Sequence, residues 1–183
     1  RLLDILNKNN KRMVGWDEIF QPELQNTIVI QSWLGKKAMI EAAKKGYKSI
    51  LSNGFYIDLV KSAEKHYLNE PIPDDHGLTE QQLKNILGGE ATMWAELISP
   101  ETIDSRIWPR TAAIAERFWS KRNISDVDDM YTRLKKVSIQ LENLGLNHRR
   151  NQDMMIRRFL HSEDISEFKT FIEALEPLKG YAR

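Results

Sequence analysis

The chain contains no cysteine. Disulfide staples, thiol nucleophiles and cysteine-ligated zinc are thereby excluded, while the compartment stays open. Charge of one sign is lacking as well. Against 27 Lys and Arg stand 26 Asp and Glu, a formal net charge of +1, which offers no field for nucleic acid or an anionic membrane. No stretch approaches the roughly 18 apolar residues of a membrane-spanning helix. The histidines His66, His76, His148 and His161 lack ligand spacing such as H-x-x-x-H, so neither a metal nor a cofactor is expected. Internal repeats and low-complexity tracts are absent. The amino terminus, RLLDILNKNNKRMVGWDEIF, lacks the basic, apolar and small-residue succession of a signal peptide. Leu2 to Leu6 reads instead as the last turns of a helix running into a strand, as expected of a chain that begins within a fold. Localisation is unknown on this reading.

What is present is the composition of a globular domain, or of a piece of a larger one: 183 residues, 41% hydrophobic and 29% charged. The clearest strand is Asn26–Trp33, where Ile28, Val29 and Ile30 form a continuous β-branched run suited to burial on both faces of a parallel sheet. Lys11–Asp17, Tyr47–Ser52 and Ile86–Gly89 read as three further strands. Gly35–Lys45 between them reads as a helix with alanines inward, lysines outward and Gly46 as its C-cap. Leu59–Tyr67 is a further expected helix, and Thr79–Asn85 opens with a capping signal. Downstream, helices are expected over Ile103–Trp119, with Pro109 in the first turn, over Ser125–Leu144, capped by Ser125 and ended by Gly145, and over Asp164–Leu175. Alternating strands and helices argue for a parallel sheet, and four βα units make half of an eight-stranded barrel.

The stretch Ile86–Glu96, ILGGEATMWAE, organises this pattern. A short apolar run expected to bury in the sheet meets Gly88 and Gly89, then Glu90, Trp94 and Glu96 follow. Barrel enzymes place their chemistry in this way at the carboxyl ends of strands. Tyr56 and Asp58 stand two residues apart after the third strand, so an extended segment turns both to one side.

Together GWDEIF, QSW, AAKKGYKSILSNGFYIDL, ILGGEATMWAE and RIWPRTAAIAERFWS, in this order, resemble the C-terminal half of the catalytic domain of family-20 glycoside hydrolases, the β-N-acetylhexosaminidases. The resemblance runs from about Gly15 to Ser120. It implies an α/β fold, the C-terminal half of a TIM (β/α)8 barrel over residues 1–120, followed by a helical C-terminal tail, 121–183, packed on the barrel. The implied enzyme is an exo-acting glycoside hydrolase that removes terminal N-acetylglucosamine or N-acetylgalactosamine from β-linked glycans. Catalysis in such enzymes is substrate-assisted and retaining, with the 2-acetamido oxygen attacking the anomeric carbon.

By the same resemblance, Trp16, Trp33 and Trp94 wall the acetamide, Tyr56 donates to its oxygen, and Asp58 and Glu96 accept from ring hydroxyls. A glycan with a terminal β-linked N-acetylhexosamine is the implied partner, and a secreted, periplasmic or lysosomal-type location the implied setting. Asp17-Glu18 is an acidic pair, but the family's catalytic Asp-Glu pair follows His-x-Gly-Gly on an earlier strand. The pair at Asp17 is therefore read as structural, and the catalytic pair as lying outside this chain. The family's further sugar-stacking tryptophan has no counterpart between Tyr56 and Trp94. Arg106 and Arg110 read as ion-pairing with Glu116 on an alanine-rich helix, and Trp108 and Trp119 as packing residues. The chain alone is expected to be inactive, and its exposed half-barrel edges could support self-association. The alternatives are a non-catalytic carbohydrate-binding or interaction module, and a helical scaffold in which the tryptophans pack.

Overall fold

A computed structural model describes residues 1–96 and 98–175. Helix α1 (Leu2–Lys8) leads into β1 (Val14–Trp16), a 3₁₀ turn (Asp17–Ile19), β2 (Val29–Ser32), α2 (Lys36–Lys44) and β3 (Lys48–Leu51). Short helices α3 (Ala63–Tyr67) and α4 (Glu80–Leu83) precede β4 (Ile86–Gly89). The rest is helical: α5 (Ile103–Ile107), α6 (Arg110–Trp119), α7 (Val127–Asn143), α8 (Arg150–Leu160) and α9 (Ser166–Ala174). Two compact units result, one made of Arg1–Phe55 and Glu70–Ala91, the other of Tyr56–Asn69 and the described part of the chain from Thr92 onward.

The first unit holds a sheet of order β1-β2-β3-β4, every pairing parallel. Ile28 and Ile30 are buried with Ala42 and Tyr47, and the partly buried Leu3, Met13, Ile19, Phe20 and Leu24 pack around them. A second cluster joins Ile40, Ala43 and Leu78 with Leu83 and Ile86. The helix α2 stops as its sequence dictates. Gly46 takes φ +87°, and the Tyr47 amide donates to Ala42 O at 3.0 Å, closing a Schellman turn. The capping box expected at Thr79 is also present: Thr79 Oγ1 accepts from the Gln82 amide, and Gln82 Oε1 from the Thr79 amide.

The apolar pair at β4 departs from expectation. Ile86 is half-buried and Leu87 is 53% exposed. The register slips by one residue after Ser49↔Ile86, so that Ile50 faces Gly88 and Leu87 bulges out of the ladder. Gly88 sits at φ +138°, where a side chain is strained; a Cβ there would meet nothing, so its glycine serves the backbone conformation rather than a close approach.

In the second unit Ala63 and Tyr67 of α3 pack with Ala113, Met130 and Leu134 of α6 and α7. Four expectations are corrected here. The helix expected from Leu59 begins at Ala63, capped by Ser62. The single helix expected over Ile103–Trp119 is two, because Pro109 cannot donate an amide and forces Trp108 into extended backbone; the Trp108–Pro109 bond is cis. Asp126, not Ser125, caps α7, its carboxylate accepting from the Asp129 amide at 3.0 Å. Trp119 is 91% exposed, not packed as expected, because α6 turns its opposite face, Ala113 and Ile114, to the core. The sequence reading also left α8 unassigned: it is rich in arginine and buries only Asn151 and Ile156. Residues 176–183 of the expected tail lie outside the described residues.

Candidate functional site

In the first unit the candidates follow the ends of β1 and β2. Trp16 ends β1, half-buried, and the chain then tightens into the 3₁₀ turn that buries Asp17. Gly15 packs closely on this turn: a Cβ there would lie 2.3 Å from Ile19 Cδ1 and would displace the Ile19 side chain. The Asp17 carboxylate organises the loop after β2. It accepts from Ser32 Oγ at 2.9 Å, from the Trp33 amide at 2.8 Å and from the Leu34 amide at 2.7 Å. Glu18 accepts from Trp33 Nε1 at 2.9 Å, and Asn53 Nδ2 donates to the Trp33 carbonyl at 2.8 Å. Trp33 is thus held at its amide, its carbonyl and its indole nitrogen, while 40% of its surface stays exposed. Such a ring offers a preset apolar face. The structural reading of Asp17-Glu18 acquires its content here, since both acids accept hydrogen bonds from Trp33. After β4, Glu90 accepts from Gln31 Nε2 of β2, and its amide donates to Leu51 O at 2.8 Å.

In the second unit Tyr56 and Thr92 form an isolated parallel bridge, and the Ile57 amide donates to Thr92 O at 2.9 Å. The segments carrying Tyr56 and Asp58, and Trp94 and Glu96, therefore start side by side. Tyr56 is half-buried and Asp58 buried, whereas Trp94 is 42% exposed and Glu96 exposed.

Arg110 corrects the ion-pair expectation. It is buried, and its guanidinium donates to the carbonyls of Ile57, Leu59, Lys61 and Arg106. Burial, with Arg106 nearby, pushes its pKa down to about 10, opposed by the charge of Asp58. Glu116 serves Arg133 and Tyr67 instead. Tyr67 Oη donates to it at 2.8 Å and Arg133 binds it through both terminal nitrogens. The Arg133 hydrogen bonds, then that of Tyr67, hold the Glu116 carboxyl below its ordinary value against the opposing effect of burial. A signal for Arg110 was present in the sequence. Arg106 stands four residues before it in the sequence, and like charges that close repel, which argues against both meeting Glu116.

Two of the four histidines meet hydrogen-bonding neighbours. His148 Nε2 lies 2.6 Å from Ser138 Oγ, and His76 Nδ1 accepts from the Leu78 amide. Among the described residues no group of three His, Cys, Asp or Glu is arranged to hold a metal ion. Nor, among them, is any helix long and apolar enough to cross a membrane.

The model of glycosyl hydrolase family 20, catalytic domain, matches residues 1–122. Among solved structures, a chitobiase from Flavobacterium johnsoniae is 47% identical with a TM-score of 0.94, covering 98% of this chain and 28% of that one. A family-20 exo-β-N-acetylglucosaminidase from Vibrio harveyi, in complex with N-acetylglucosamine, is 30% identical with a TM-score of 0.70, covering 79% of this chain and 25% of that one. The human β-hexosaminidase subunit beta is 31% identical over 154 residues, which are 80% of this chain and 27% of that protein. The chain therefore spans 25–28% of the length of these three relatives. With the family's motifs in order on a parallel sheet and its model matched over two thirds of the residues, the chain belongs to the catalytic domain of glycosyl hydrolase family 20.

Proposed function

We propose that this chain is the C-terminal half of the (β/α)8 catalytic barrel of an exo-acting β-N-acetylhexosaminidase, with residues 1–120 contributing the barrel strands and 121–183 a helical tail. The whole protein is a retaining glycoside hydrolase acting on glycans that end in β-linked N-acetylglucosamine or N-acetylgalactosamine. The substrate's acetamide oxygen supplies the nucleophile. Trp16, Trp33 and Trp94 are assigned to the acetamide group, Tyr56 to its oxygen, and Asp58 and Glu96 to the sugar hydroxyls. The catalytic Asp-Glu pair is assigned to the part of the domain outside this chain, so the chain alone is inactive. The outer strands β1 and β4 are the edges through which an isolated chain pairs with a second copy, and which further barrel strands cover in the whole protein.

One observation carries this reading. The strands are all parallel and in sequential order, and every assigned residue ends a strand or follows its carboxyl end: Trp16 ends β1, Trp33 follows β2, Tyr56 and Asp58 follow β3, Trp94 and Glu96 follow β4. A packing role alone has no reason to gather three of five tryptophans there.

The test is tryptophan fluorescence of the full-length protein and of this chain, titrated with an N-acetylglucosamine-derived thiazoline against glucose. Saturable quenching by the thiazoline alone in the full-length protein is expected. Quenching by both sugars alike, or by neither in a folded sample, overturns the assignment of the indoles. Saturable quenching without hydrolysis of an aryl β-N-acetylglucosaminide would identify a binding module instead.

A further inference from the structure

We propose that Arg110 is a positioning residue, whose guanidinium holds the segment bearing Tyr56 and Asp58 in its working conformation by gripping alternate carbonyls. The inference rests on the roles assigned above to Tyr56 and Asp58, and extends them to a residue that touches no sugar.

A guanidinium has five N–H groups in a fixed fork. In Arg110 all five are committed. Nη1 donates to Leu59 O at 2.7 Å and to Lys61 O at 2.8 Å. Nη2 donates to Ile57 O and, at 2.7 Å, to Arg106 O, and Nε donates to Arg106 O at 2.9 Å. No donor remains for a substrate, which separates Arg110 from an arginine that clamps a ligand. Arg106 O belongs to α5, so the fork is anchored on helix while it reaches 49 to 53 residues back along the chain.

The effect on Tyr56 and Asp58 follows from peptide planarity. The plane joining residues 56 and 57 is held by the Ile57 amide on Thr92 O. The plane joining 57 and 58 is held by Ile57 O on Arg110, and the plane joining 59 and 60 by Leu59 O on the same group. Fixing both planes around Ile57 fixes φ and ψ of residue 57, and with them the relative placement of the Cα atoms of Tyr56 and Asp58 from which the two side chains leave. The segment bends at residues 57–59 instead of continuing as a strand, so a sheet ladder does not supply this restraint. Lysine cannot replace the fork: with three donors on a single nitrogen it leaves carbonyls unserved. Asp58, the charge that favours the cationic Arg110, is itself on the held segment.

The test is a double-mutant cycle in the full-length protein, with Tyr56→Phe, Arg110→Lys and both together, read as kcat and KM on an aryl β-N-acetylglucosaminide. Because a misplacement of about 1 Å costs on the order of 10²-fold, Arg110→Lys is expected to lower kcat/KM by about that factor, kcat falling through Tyr56 and KM rising through Asp58. In the double variant the loss is expected to fall well short of the product of the two single losses, because the share of the Arg110→Lys effect that runs through Tyr56 is already gone. Full multiplication of the two losses, or wild-type kcat in Arg110→Lys, overturns the proposal. Wild-type kcat in Tyr56→Phe overturns instead the role assigned to Tyr56. Should Arg110→Lys fail to fold, backbone order parameters of the wild-type protein decide: residues 57–61 as rigid as α6 support the grip, and the values of a loose loop refute it.

Discussion

Asp17 can be replaced in two ways that separate a structural acceptor from a proton-transfer group. Alanine removes the acceptors of the Trp33 and Leu34 amides, at 2.8 and 2.7 Å, and of Ser32 Oγ at 2.9 Å. The serine hydroxyl keeps a second acceptor, Gly35 O at 3.1 Å, so the loss falls on the two amides. Hydrogen bonds to a charged group contribute about 1.5–3 kcal/mol each. Water reaches part of this loop, with Trp33 40% exposed, which brings the expected destabilisation to about 3 kcal/mol. Asparagine behaves differently. Its oxygen, placed at the Oδ2 position, still accepts from both amides; its amide nitrogen, at Oδ1, donates to Ser32 Oγ, whose proton turns to Gly35 O. What is lost is charge assistance, about 1 kcal/mol. In urea unfolding followed by tryptophan fluorescence, with m of about 2 kcal/mol/M, the midpoint falls about 1.5 M for Asp17→Ala and about 0.5 M for Asp17→Asn. In the full-length protein Asp17→Asn keeps its turnover. An asparagine variant as unstable as the alanine one refutes the acceptor geometry. A loss of turnover of about 10² or more at an unchanged midpoint would falsify the structural reading of this acid.

Thr79→Ala removes one half of the capping box and is expected to cost about 1 kcal/mol, seen as a lower urea midpoint, with Thr79→Ser near wild type. Glu116→Gln tests the Arg133–Glu116–Tyr67 cluster through pH. The carboxyl is depressed in the folded state, so its stabilisation is complete above the ordinary value of 4.5 and is lost as the pH falls through the lower folded one. The glutamine variant should therefore be less stable at neutral pH and lose less on acidification. Equal acid slopes for the two proteins, in urea midpoints across that window, contradict the cluster.

Local chemistry wrote much of this fold into the sequence. The run Ile28-Val29-Ile30 announces a buried strand because its β-branched side chains leave no polar face. Gly46 and Gly145 mark helix ends because positive φ, here +87° and +92°, is a property of the single residue. The capping box at Thr79 is a pattern four residues long. The tryptophans could be placed relative to strands for the same reason, since a strand end is a local event. The break before α6 was legible in part: Pro109 was visible, but whether it opens one helix or separates two depends on the backbone of Trp108.

Tertiary structure decided what pairs with what. Asp17 acquires its acceptor role from amides 16 and 17 residues away, and Arg110 its four carbonyls from a loop up to 53 residues distant and from the preceding helix α5. Composition suggested that Arg110 meets carboxylates; burial among backbone oxygens gave it carbonyls, because a buried guanidinium takes whatever acceptors the chain leaves unsatisfied. The same holds for Trp119, whose apolar ring predicts packing, while the face that α6 presents leaves it outside. The sequence by itself determined the four strands, the helix ends at Gly46 and Gly145 and which residue types stand at strand ends, though not α8 or the break between α5 and α6, because those it did determine depend on neighbours along the chain. Which acceptor each buried donor finds, and which side of a helix meets the core, depends on neighbours in space, and that was settled by the folded structure alone.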